Sequence, residues 1–389
     1  MKRILELLLM AYALTGTISI AASQMAMGAA GIVALLDRGR SLCWARLRTG
    51  LEGPLAAWIG VSLLATIFAS QPLASLFKMK KLILFAMLYW PPAVVTRSWN
   101  LGRLFVFLLF AAGVTSLYGV TTFLWQGGPE WGAVIRGLHG FYLTNSGLLL
   151  LCTFPALTLA RCRTIAPSFR CGAALAALAI LSSQLLGCLP GTWLGTAAGF
   201  FALALRTRSA RIALLGVGII IFVVLGPPVF SERLGDFLDP RGDFRTGLER
   251  TWRSAARLFI ADPWTGWGLH DLRAEFDAVK APGDPSEGHM RSVPWQIAVS
   301  MGLPGLAAFA WLVAGWFRLL NRARASAPSP FTRAVIEGTE ASVVGFLAAG
   351  LFEWNFGDSE ILALLMFLLG ASHLAGRLGA EPAGEQADA

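Results

Sequence analysis

The stretch Ser231–Pro294 reads SERLGDFLDPRGDFRTGLERTWRSAARLFIADPWTGWGLHDLRAEFDAVKAPGDPSEGHMRSVP, and long apolar runs flank it on both sides. It carries Arg233, Arg241, Arg245, Arg250, Arg253, Arg257, Arg273 and Arg291, eleven acidic residues, and two of the chain's four histidines, His270 and His289. One such charge at the centre of a bilayer-spanning helix costs about 2.5 to 3.5 kcal/mol, so the stretch belongs in water and the flanking runs in the membrane. Trp252, Trp264, Trp267, Phe244, Phe259 and Phe276 give it apolar surface to fold against a membrane domain, which an idle linker would lack.

The composition points the same way. The chain is 56% hydrophobic and 14% charged, with a mean hydropathy of +0.62, whereas a soluble domain is about 25% charged. The net charge of +9 is spread over short basic clusters between apolar runs, which excludes the basic stripe of a nucleic-acid binder and fits loops flanking membrane helices. Cys43, Cys152, Cys162, Cys171 and Cys188 form no Cys-x-x-Cys pair or metal-ligand spacing and read as packing residues.

Hydropathy places about twelve spans, making the expected fold an all-α, polytopic membrane bundle. They run over 4–22, 25–36, 54–69, 82–96, 103–125, 143–160, 171–187, 191–206, 212–230, 295–317, 334–352 and 360–376. The first is read as an uncleaved helix, although Ala21, Ala22 and Ser23 resemble a signal-peptide cleavage site. With both termini cytoplasmic, the inner side receives Arg97 and Arg103, then Arg161, Arg163 and Arg170, then Arg206, Arg208 and Arg211, then Arg318, Arg322, Arg324 and Arg333. The outer side receives the large loop 231–294, between spans 9 and 10, and Lys78, Lys80 and Lys81, which run against the pattern. Residues 1–378 form one transmembrane domain including that loop, and 379–389, rich in Ala, Gly, Glu and Asp, read as a disordered cytoplasmic tail.

Arginine presents a planar fork of donors that matches phosphate oxygens, so a watery arginine-rich loop over a helical bundle suits a phosphorylated lipid. The plain alternative is internal ion pairing, as for Arg257 near Asp262 and Arg233 near Asp236. Helical spacing brings Arg250, Arg253 and Arg257 to one face, where Glu249, Asp243 or a bound diphosphate would relieve their repulsion.

These residues carry a resemblance. The run Leu248–Gly268, LERTWRSAARLFIADPWTGWG, resembles the signature of the O-antigen ligase and polymerase superfamily, with an arginine-rich turn, a Trp-centred helix and then the Pro263, Gly266, Gly268 turn. Ser292, nine residues, and Gly302–Gly305 resemble the second motif, in which a histidine and a small polar residue precede Gly-x-x-Gly. Arg136–Asn145, RGLHGFYLTN, is similar to a stretch that precedes a span in many members. Three positions depart from the pattern: Arg291 stands where the histidine would fall, with His289 two residues earlier; Leu248 stands for one arginine; and Pro190 stands for another.

The resemblance implies glycan transfer from an undecaprenyl-diphosphate carrier to an acceptor hydroxyl, on a glycolipid or glycan, at the periplasmic face of a bacterial inner membrane. It implies no metal, nucleotide sugar or other cofactor, and the charge distribution above already speaks against nucleic acid. Such chemistry needs cations for the charge developing on the leaving group and a base for the hydroxyl. The expected catalytic residues are His289 and Arg291, and the expected diphosphate ligands Arg250, Arg245 and Arg136. Ligation of a lipid-linked glycan is the first reading and polymerisation of repeats the second. A transporter or silent scaffold is the alternative from another class.

Overall fold

The computed structural model describes residues 1–128, 134–225, 228–239, 243–280 and 289–378, and every regular element among them is helical. In chain order the first helices are α1 (Lys2–Thr15), α2 (Ile20–Leu36), α3 (Glu52–Ile67), α4 (Pro72–Lys78), α5 (Trp90–Val94), α6 (Ser98–Trp125), α7 (Tyr142–Arg161) and α8 (Pro167–Leu186). They continue with α9 (Pro190–Thr207), α10 (Ala210–Leu225), α11 (Pro228–Leu238), α12 (Asp243–Ala261), α13 (Arg273–Val279), α14 (Val293–Ala325), α15 (Pro330–Ala349) and α16 (Ser359–Arg377).

Five of these, α6, α7, α8, α14 and α16, are long and apolar enough to cross a membrane, and α10 with Phe230–Leu238 makes a sixth if the bent pair is one span. The chain is thus a multi-pass membrane protein. The shorter apolar helices α2 and α3 cover two more of the expected runs. The run 82–96 is not one helix: a 3-10 segment, Met79–Leu88, passes into the short α5, whose Pro91 and Pro92 lack the N–H that a longer helix needs. The tail 379–389 lies outside the described residues.

α16 is apolar on every side because it runs through the middle of the bundle, buried from Ile361 to Gly376 except at His373. α9 and α15 approach closely at Gly195 and Gly345, where a Cβ on either would stand 2.7 Å from the other's carbonyl oxygen. Small residues let membrane helices approach this closely. At the end of the bundle where α7 starts and α15 finishes, Thr144 donates to Asp358 at 2.6 Å and the Val293 N–H donates to the Gly350 carbonyl at 2.7 Å. α12 packs on α14 at this end, and α13 packs on α12.

The opposite end is held by the ion pairs Arg206–Glu340, 2.7 Å, and Arg324–Glu337, 3.0 Å. Glu337 and Glu340 are thus each paired across neighbouring helices.

Candidate active site

α12 is amphipathic: Leu248, Thr251, Ala255 and Leu258 recur at helical spacing and are buried, while Arg253 and Arg257 face outward. After Ala261 the chain turns, with Asp262 accepting from the Thr265 N–H at 3.1 Å and the Thr265 hydroxyl at 2.6 Å. This turn docks on a break in α14. Gly302 has φ +64° and ψ −162°, outside helical geometry, and Pro304 brings no N–H to the carbonyl of Ser300. The Ser300 carbonyl instead accepts from Gly268 at 3.0 Å, and that of Val299 from Trp267 at 2.9 Å. In return the Leu303 N–H is turned to the Pro263 carbonyl at 2.8 Å. A Cβ on Gly266 would lie 2.5 Å from the Met301 nitrogen, and one on Gly302 2.6 Å from the Pro263 oxygen. The two glycine motifs are the two halves of one seam.

Beyond the seam His270 is buried and joins α4 to α13. Ser75 Oγ accepts from the Leu269 and His270 N–H groups, both at 3.2 Å, which leaves its own proton to donate to His270 Nδ1 at 3.1 Å. His270 Nε2–H then points at Glu275 Oε1, 3.0 Å away, and the partners select that tautomer. Glu275 loses solvation at this site, but the hydrogen bonds from Ser70 and His270 outweigh that loss and hold its carboxyl below the ordinary range.

This clamp brings the end of α4 and the start of α13 to the rim of a cavity of about 320 Å³. Lys78, Lys81, Arg273 and His289 line it, over an apolar floor that includes Trp58, Phe85 and Phe356. Phe356 meets Trp58 at 5.5 Å between centroids, edge to face, and Phe309 at 5.1 Å, so the floor is packed by aromatic rings. Lys81 donates to the Gly357 carbonyl. Burial pulls its ammonium below the ordinary value, with Asp358 acting in the opposite direction. Asp271 is the acid on the same rim, 4.0 Å from Arg273.

His289 is exposed, but its neighbour Met290 is fully buried and pinned at both ends. The Met290 N–H donates to Gln296 Oε1 at 2.9 Å, and its carbonyl accepts from Trp252 Nε1 at 3.2 Å. Trp252 is itself stacked on Phe352, 6.0 Å between centroids. The Trp-centred helix and the second motif thus cooperate to aim His289 at the cavity.

The other expected site residues lie elsewhere. Arg291, half-buried with φ +48°, acts on Glu353, whose carboxyl burial pushes up to about 7 while Arg291 pulls it down. A Cβ on Gly191 would lie 2.8 Å from Glu353 Oε1, so Arg291 shares a neighbourhood with the helix start at Pro190, where the family pattern has an arginine. Arg250 bonds back to the Thr246 carbonyl at 3.2 Å and does not line the cavity. Arg136 is exposed before α7, also away from it, and the side chain of Arg245 lies outside the described residues. Arg257 donates to the Val279 carbonyl at 3.0 Å, not to Asp262. The side chain of Arg233 also lies outside the described residues.

Sequence reading passed over Lys78, Lys81 and Arg273 as site residues. The lysines nevertheless left a signal, a basic cluster on the side where basic residues are depleted.

Residues 147–310 match the family described as O-antigen ligase, a stretch that runs from α7 past the break at Gly302. This match supports membership of the O-antigen ligase and polymerase family. No curated protein matches the chain.

Proposed function

We propose that this chain, an O-antigen ligase-family protein over residues 147–310, transfers a glycan from a polyprenyl-diphosphate carrier to an acceptor hydroxyl in the cavity ringed by Lys78, Lys81, Arg273 and His289. The observation that carries this reading is the convergence of three cations and an aimed histidine over an apolar floor. The acceptor oxygen forms a bond to the anomeric carbon, the bond from that carbon to the diphosphate breaks, and its electron pair leaves with the phosphate. Lys78, Lys81 and Arg273 offset the charge that grows on the leaving group. His289 accepts the hydroxyl proton. The apolar floor accommodates the first units of the polyprenyl chain. The site faces the periplasm and both termini lie in the cytoplasm of a bacterial inner membrane, in keeping with the basic residues at the other end of the bundle.

Ligation onto a glycolipid acceptor is the reading adopted. The protein reconstituted in liposomes with undecaprenyl-diphosphate-linked glycan should form product when a lipid A-core acceptor is added and leave the donor unextended without it. Extension of the donor alone would assign a polymerase. No transfer under either condition would favour a transporter or scaffold.

A further inference from the structure

A second cavity, of about 590 Å³, lies at the opposite end of the bundle, between the last turns of α7 and α9 and the first turns of α10 and α15. Arg161, Arg163 and Arg333 line it, and none of them pairs with a carboxylate among the described residues. The acid within reach, Glu337, is engaged by Arg324 at 3.0 Å. Thr158 and Thr207 hydroxyls are committed to carbonyls of their own helices. The cavity therefore holds three guanidinium groups against one lining carboxylate, Glu337, which Arg324 already engages, and the N-terminal end of α15 adds to the positive potential.

Its wall is not polar throughout. Leu203, Ile212 and Ala334 line it, and α9 and α10 present Leu205, Leu214 and Leu215 outward as exposed surface. A phosphate held by the arginines would thus sit beside a surface suited to acyl chains. A soluble anion would make no use of that surface.

We propose that this cavity binds the phosphodiester headgroup of an anionic phospholipid from the leaflet at that end, independently of the transfer site. Basic residues at a membrane surface each contribute a factor of about five to anionic lipid binding, so three give a preference on the order of a hundredfold.

The test uses the full chain in nanodiscs of phosphatidylcholine with a minor fraction of phosphatidylglycerol, extracted into neutral detergent. Bound lipid is counted by native mass spectrometry. The wild-type protein should retain phosphatidylglycerol far above its fraction. The triple variant Arg161→Gln, Arg163→Gln, Arg333→Gln should fall towards parity with phosphatidylcholine, and the matching Arg→Lys triple should keep most of the enrichment. Should the glutamine triple misfold, each single Arg→Gln change at these exposed positions should still weaken retention about fivefold. Unchanged retention in all three single variants overturns the proposal. Displacement of the lipid by millimolar inorganic phosphate overturns it too, because the site would then take a soluble phosphate.

Discussion

Leu303 donates its backbone N–H to the carbonyl of Pro263 at 2.8 Å, forty residues away along the chain and across the boundary between membrane helix and loop. That bond exists because Gly302 leaves helical geometry, and Gly302 is where a side chain would meet the Pro263 oxygen. Gly302→Ala should therefore cost about 1 to 3 kcal/mol, as other strained positive-φ positions do. It should also lower the thermal midpoint of the purified protein and reduce transfer. Gly305→Ala has no positive φ to strain, and its Cβ would meet Met301 Cβ at 2.4 Å and Ile297 Cγ2 at 3.2 Å, so it tests packing within α14 without touching the Pro263 carbonyl. Equal midpoints for Gly302→Ala and wild type would remove the seam from its structural role.

His270 links Ser75 on α4 to Glu275 on α13, and so sets the spacing of Lys78 and Arg273. His270→Ala leaves both partners short of a hydrogen bond, worth about 1 to 3 kcal/mol where buried. The expected kinetic signature is a several-fold rise in donor KM with a smaller change in kcat, since the clamp positions the cations and does not touch the reacting atoms. A fall in kcat alone would place His270 in the chemistry.

The Glu353 carboxyl titrates near 7 in the folded protein against 4.5 ordinarily, so between those values the folded state binds more protons than the unfolded one. Stability should then fall as pH rises from about 4.5 to about 7 and level off above, a loss of about 1 to 3 kcal/mol. Glu353→Gln should flatten that slope. Arg291→Ala should be more destabilising at pH 8 than at pH 5, and less so in the Glu353→Gln background. Denaturant unfolding at the two pH values measures all three effects.

His289→Ala should lower kcat by about a hundredfold or more, as loss of a proton acceptor commonly does. A histidine acceptor also gives wild-type activity a limb rising through about pH 6 to 7. Glu353→Gln should keep that limb, because Glu353 does not line the cavity, and its persistence separates the two groups. A flat profile in the wild type would mean that no histidine takes the proton.

Much of this was legible in the sequence, and the reasons differ by element. α6, α7, α8 and α16 were readable because continuous apolar runs permit little else in a membrane protein. The motif glycines were readable because positive φ and close backbone approach demand glycine. Segment 79–94 misled, since hydropathy sees an apolar run and not the 3-10 winding that Pro91 and Pro92 help to impose. Cavity residues were harder to see: Lys78 and Arg273 lie nearly two hundred residues apart and meet only through the buried His270 clamp. Arg250 and Arg291 looked like ligands because arginine suits phosphate wherever it stands. Spacing alone cannot show that one folds back on Thr246 and the other acts on Glu353. His289 drew attention in the sequence because it lies near a second motif, and that motif's residues hold its neighbour Met290 beside the cavity.

The cavity's role rests on its cations. The decisive measurement is donor-dependent glycan transfer by the variant Lys78→Gln, Lys81→Gln, Arg273→Gln in proteoliposomes, at equal amounts of folded protein. If these side chains hold the diphosphate and stabilise its departure, kcat/KM falls by about a hundredfold or more while His289→Ala in the same background adds little further, as expected for groups acting as a unit. Transfer by the triple variant at the wild-type rate would contradict this assignment and move the site away from the cavity.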